Sequence, residues 1–140
     1  MHETRFLVVG AHALAGHGVL RATGDLDIWV NNSAENIPRI WRALVEFGAP
    51  AEALGLSPED FSTAGTVVQI GLPPRRIDLM TSITGVVFDD AWRSRIEIRI
   101  ADVTVSVLGR EALLKNKRAL GRSQDLVDVE ALSRMRRDIE

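Results

Sequence analysis

The chain has 140 residues, 46% of them hydrophobic and 26% charged, with a formal net charge of −2. That length suits one domain, large enough for a real core but too small for a separate substrate domain, and the balance of charge argues against a generally basic nucleic-acid binder while allowing a local basic site. The absence of cysteine excludes a disulfide framework and a thiolate metal site, and the longest apolar runs, FLVVG and TVVQIGL, are too short to span a bilayer.

The opening MHETRF has no apolar leader segment before a strand-like run begins, so the expectation is a cytoplasmic protein with no membrane partner. RFLVV (5–9) predicts a buried strand that stops at Gly10. AHALAGHG then fits one or two helical turns closed by Gly16 or Gly18, and DLDIWV (25–30) is a second strand. Ser33 offers an N-cap, with regular helix from near Asn36 because of Pro38. Ile37, Ile40, Trp41, Leu44 and Val45 form its apolar stripe, and Gly48 is placed to end it.

Ser57-Pro58 marks a short helix start. TVVQIGL (66–72) and RRIDLM (75–80) predict a hairpin turning at Pro73-Pro74. A helix is expected over 88–95, a second hairpin from IEIRI and TVSVL across 101–103, and two final helices from Arg110 broken at Gly121. The order is mixed, which predicts an α/β or α+β domain with a mixed sheet flanked by helices.

The chemistry begins at Asp25 and Asp27. Alternation along a strand points Asp25, Asp27 and Trp29 to one face, with the two acids about 7 Å apart at Cα. Carboxylates are costly to bury unless paired or bound to metal, and such a pair suits Mg²⁺, a hard cation that takes carboxylate and phosphate oxygens. Asp78 is a third acid, alone in a second apolar strand. Plainer readings compete: Asp25 as a turn residue, Asp27 as a solvent residue on an edge strand, Asp78 paired at the surface with Arg75 or Arg76. His12 and His17 read as surface or packing residues, and Trp41 and Trp92 as core. Trp29 is core or, sharing the acidic face, the wall of a base pocket. Two other users of an Asp-x-Asp pair fit poorly, since dehalogenase-type phosphatases carry it after the strand and sugar transferases need a longer chain.

The stretch VVGAHALAGHGVLRATGDLDIWV resembles the nucleotidyltransferase signature of the DNA polymerase β-like superfamily in its small bacterial members, related to abortive-infection (AbiEii-type) nucleotidyltransferase-like toxins. PPRRIDLMTSITGVVFDDAW is similar to the segment carrying the third acid, and LLKNKRALGRSQDLVDVEAL resembles the family's last two helices. The resemblance covers nearly the whole chain and implies one minimal nucleotidyltransferase domain over residues 1–140.

It implies transfer of NMP from an NTP to a hydroxyl acceptor, whether RNA, protein or a small molecule, with Mg²⁺ or Mn²⁺ as cofactor. Asp25, Asp27 and Asp78 would bind metal, with Asp78 also serving as base or orienting the acceptor hydroxyl. Gly10 and Ala11 would approach the triphosphate through their backbone. Arg21, Lys117 and Arg122 are candidate phosphate contacts, while snorkelling from an apolar stripe is the alternative for Lys117. Asp125 would orient Arg122 or cap the last helix.

Three features depart from the family. Ala11 stands where Gly or Ser is usual, Gln124 where Lys is usual, and only four residues precede Arg5 where relatives have a helix. The last departure leaves two readings: either the chain's true start lies elsewhere, or that helix is absent and its hydrophobic site is covered by another subunit, which makes a homodimer the expected partner. An antitoxin is the partner that the toxin resemblance implies. The alternative to an enzyme is a catalytically degenerate nucleotide- or partner-binding module of the same fold.

Overall fold

The computed structural model describes residues 4–18, 25–48, 55–72, 76–100 and 102–139. Within these residues six strands form one mixed sheet: β1 (Phe6–Val9), β2 (Asp25–Val30), β3 (Val67–Ile70), β4 (Arg76–Met80), β5 (Ile96–Ile100) and β6 (Val103–Val107). Their spatial order is β3-β4-β2-β1-β6-β5. The hairpins β3–β4 and β5–β6 are antiparallel, as their sequence spacing predicts, and β1–β2 is antiparallel too. Parallel pairing of β2 with β4 and of β1 with β6 joins them into one sheet. The mixed α/β class expected from the order of elements is the one observed. The turn expected at Pro73-Pro74 lies outside the described residues.

Among the described residues, five helices cover the sheet: α1 (Gly10–Gly16), α2 (Ile37–Phe47), α3 (Phe88–Arg93), α4 (Arg110–Leu120) and α5 (Ser123–Ile139). Period-two alternation along β2 divides the core. Trp29 belongs with Leu7, Leu14, Phe88, Leu113 and Leu132 in the larger cluster, where its ring meets Phe88 edge-on at 5.0 Å. Val30 belongs with Ile40, Leu44, Phe61, Val68 and Leu79 in the second cluster, under α2 and the 3₁₀ turn Pro58–Ser62. Trp29 is 2% exposed, so it is a core residue and cannot form a pocket wall.

The helix ends follow local chemistry. Ser57 and Asp60 form a reciprocal capping box, with the Ser57 amide donating to Asp60 Oδ2 at 2.8 Å. Gly48 closes α2 and Gly121 closes α4, both in left-handed conformation, at φ 88° and 66°. Buried Asn36 ties the start of α2 to the β1 segment. Its Oδ1 accepts from the Arg5 amide at 2.8 Å, and its Nδ2 donates to the Arg5 and Asn31 carbonyls. Val45, expected in the apolar stripe of α2, is 59% exposed. At 3.6 residues per turn it lies about 80° round from Ile37, off the edge of the stripe.

Candidate active site

Asp25 and Asp27 lie on β2 and Asp78 on β4, two adjacent parallel strands inside the sheet. The register sets Asp27 directly beside Asp78 and Asp25 beside Arg76. Side chains in register on neighbouring strands point to one face, so all three carboxylates share the face that buries Trp29. On the other flank β1 pairs Val9 with Asp27, and the chain turns at Gly10 into α1. Gly10 has φ 67°, and a Cβ built there would collide with the Asp27 carboxylate. Glycine at this position lets the backbone pass against the acid.

Arg76 spans two of the acids. Its Nη2 donates to Asp25 Oδ2 at 2.7 Å and to Asp78 Oδ2 at 3.3 Å. Its Nε lies 3.0 Å from Asp78 Oδ1, but the pair is a contact of charges without a hydrogen bond, and both atoms are buried. The surface pairing of Asp78 with an arginine that the sequence allows is therefore realised inside the site, with Asp78 only 8% exposed. The Asp27 carboxylate makes no hydrogen bond or ion pair with the described residues. Burial raises its pKa above the ordinary carboxylate range, and the charges of Asp78 and then Asp25 add to the rise. Arg76 and His12 pull it down without cancelling that rise.

Among the described residues, no three imidazole or carboxylate groups close into a ready-made metal cage. The donor set nonetheless fits a hard divalent cation. It is all carboxylate oxygen, burial and the neighbouring acids resist the ionised form of Asp27 as a nearby cation would not, and Asp78 Oδ1 is buried without a hydrogen-bond donor among the described residues. Gln69, register partner of Asp78 on the edge strand β3, is exposed beside the acids.

The expected basic residues sit differently. Lys117 is buried, its Nζ 3.3 Å from Asp125 Oδ1 and 3.2 Å from Asp128 Oδ2, and so joins α4 to α5 through two buried carboxylates. Arg122 Nε donates to Asp125 Oδ2 at 2.6 Å, and the Arg122 amide donates to the same oxygen. Asp125 thus both orients Arg122 and caps α5, as the sequence suggests. Gln124 Nε2 reaches Asp128 Oδ1 at 3.4 Å. The charge of Lys117 is matched inside this joint, which favours a structural part for it over a phosphate contact. Arg21 lies outside the described residues.

Two neighbours of the acids carry no site role from sequence: Arg76, weighed only as a surface partner, and His12, taken as surface or packing. A signal for Arg76 exists, because it stands two residues before Asp78 and so shares its strand face. None exists for His12, whose influence on Asp27 depends on how α1 folds back. His17 does pack, with its Nε2 2.9 Å from the Leu108 carbonyl oxygen.

No helix among the described residues is long and apolar enough to cross a membrane. No protein-family model matches the chain, and no curated protein does. Among solved structures, the chain is similar to a crystal structure described as "a putative nucleotidyltransferase" from Thermotoga maritima, at 17% sequence identity with a TM-score of 0.55. The match covers 98% of this chain and 83% of that one. The fold is of the nucleotidyltransferase type.

Proposed function

We propose that this protein is a metal-dependent nucleotidyltransferase that moves NMP from an NTP to a hydroxyl acceptor. The observation that carries the reading is the register of β2 against β4, which sets Asp27 beside Asp78 with Asp25 two residues along the same face. Asp25, Asp27 and Asp78 would hold Mg²⁺ or Mn²⁺, which supplies charge neutralisation at the transferring phosphoryl group. Asp78 orients the acceptor hydroxyl and takes its proton as the hydroxyl oxygen bonds to the α-phosphorus and the bond to pyrophosphate breaks. Gly10 and Ala11 bring backbone close to the nucleotide, since no side chain at Gly10 fills the space before Asp27. Catalysis of this kind is mainly positioning and electrostatics, which suits so small a chain.

Incubation of the protein with α-labelled NTPs, Mn²⁺ and candidate RNA, protein and small-molecule acceptors tests the reading. Label is expected to pass to one acceptor class with wild type and not with Asp27→Asn; equal labelling by the mutant excludes the mechanism.

A second reading, a nucleotide- or partner-binding module without turnover, is favoured by the grip of Arg76 on two of the three acids. Ala11 and Gln124 point the same way. Nucleotide binding with no product across all acceptors selects it. A role as the toxin of a toxin–antitoxin pair rests on the resemblance of the sequence blocks alone. Co-purification with the product of an adjacent small gene tests it.

A further inference from the structure

The guanidinium of Arg76 occupies the space between two of the carboxylates assigned above to a divalent cation. One nitrogen serves both acids, bonding Asp25 at 2.7 Å and Asp78 at 3.3 Å, while Nε faces the second oxygen of Asp78 at 3.0 Å. We propose that Arg76 is an internal counter-ion that competes with the divalent cation for Asp25 and Asp78, so that the cation-free site is held closed by the chain's own positive charge. The inference rests on the function proposed above.

Three features give it content. A guanidinium does not lose its proton in a protein, so Arg76 cannot yield the site by neutralising and must move. It has somewhere to go, because its side chain is 28% exposed, against 12% for that of Asp78. The grip is also uneven. The bond to Asp25 is short and charge-assisted, whereas the approach of Nε to Asp78 Oδ1 lacks hydrogen-bond geometry although both atoms are buried. The Asp78 end is therefore the one that lets go first.

Asp27 takes no part in the grip. It lies beside Asp78, its carboxylate has no hydrogen bond or ion pair to the described residues, and it offers an arriving cation its first oxygens. A dication outweighs the single charge of Arg76 at these oxygens, and a monovalent cation does not. Arg76 in this account is a positioning residue that sets how tightly, and for which charge, the acids bind a cation.

The test is Mn²⁺ binding by the full chain, followed by electron paramagnetic resonance, for wild type, R76Q, R76K and D27N, each checked for fold by circular dichroism. Removing a positive charge a few ångströms from the cation is expected to make R76Q bind free Mn²⁺ about tenfold tighter than wild type, or more. R76K, which keeps the charge without the two-pronged grip, falls between them, and D27N binds weakly. Melting temperature supplies an independent readout. In EDTA, R76Q is expected to melt below wild type, because its acids repel unopposed, and Mn²⁺ is expected to restore it by a larger rise than wild type shows.

A folded R76Q that binds Mn²⁺ no better than wild type, while D27N has lost binding, overturns the counter-ion role and leaves the proposed function standing. A failure of both wild type and R76Q to bind Mn²⁺ overturns both. Should R76Q not fold, R76K decides, and affinity equal to wild type's overturns the inference.

Discussion

Asp27 and Asp78 are register partners on parallel strands, two carboxylates side by side on a face that a few residues later buries Trp29. Side chains on adjacent strands are close neighbours, and like charges so placed repel. Arg76 answers that repulsion with ion pairs at Asp78 and Asp25 but forms none with Asp27, which it reaches only through its charge. The folded chain thus holds one acid whose ionisation is resisted, in the position that the proposed chemistry needs for a cation.

That acid sets a pH dependence. The pKa of Asp27 is raised by burial and then by Asp78 and Asp25, so the folded protein binds this proton more tightly than the unfolded chain. The stability contributed is full below the unfolded pKa and is lost as pH rises through the folded pKa. In EDTA at neutral pH, Asp27→Asn should therefore melt above wild type, and the difference should vanish as pH falls into the ordinary carboxylate range. Thermal melts across that range check it.

Gly10 couples to the same residue. Its φ of 67° and the collision of a Cβ with Asp27 both oppose Gly10→Ala. The left-handed backbone alone costs about 1–2 kcal/mol with a side chain present. The collision term disappears once the carboxylate is removed. Gly10→Ala should accordingly cost less in an Asp27→Ala background than in wild type, which chemical denaturation of the double-mutant cycle measures.

The joint between α4 and α5 yields a third test. Lys117→Met would leave Asp125 and Asp128 buried without their shared ammonium, a loss of about 3–5 kcal/mol with or without nucleotide. A phosphate contact would behave otherwise, keeping the melting point and losing nucleotide affinity. The pKa of Asp125 is lowered, first by the hydrogen bond from Arg122 and also by Lys117, against an opposing effect of burial. Its contribution is present above the unfolded pKa and is lost as pH falls through the folded value, below the ordinary carboxylate range. Acid denaturation of Asp125→Asn should lack that part of the transition.

Much of this was legible in the sequence because it is local. The bounds of β2 follow from DLDIWV, both hairpins from their spacing, and the ends of α2 and α4 from Gly48 and Gly121. The three acids were legible as candidates for the same reason, Asp25 and Asp27 as a pair opening one apolar strand and Asp78 as the lone carboxylate of another. Their meeting was legible only through the resemblance of the sequence blocks, since the order β4-β2-β1 is set by long-range pairing that no window of sequence encodes. Lys117 shows the limit most clearly. Its spacing with Leu113 and Leu120 is visible, but the partners that neutralise it arrive only when α5 folds back. Val45 fails for a smaller reason, an apolar residue at the margin of a stripe that packing leaves in solvent.

Thermal stability with each NTP, with and without Mg²⁺ or Mn²⁺, for wild type and Asp27→Asn, tests the central claim most directly, because a ligand of the native state must raise the melting point by mass action. The account predicts a rise that requires both nucleotide and divalent cation in wild type and is absent in the mutant. No rise with any NTP, or a rise that Asp27→Asn leaves intact, would contradict it.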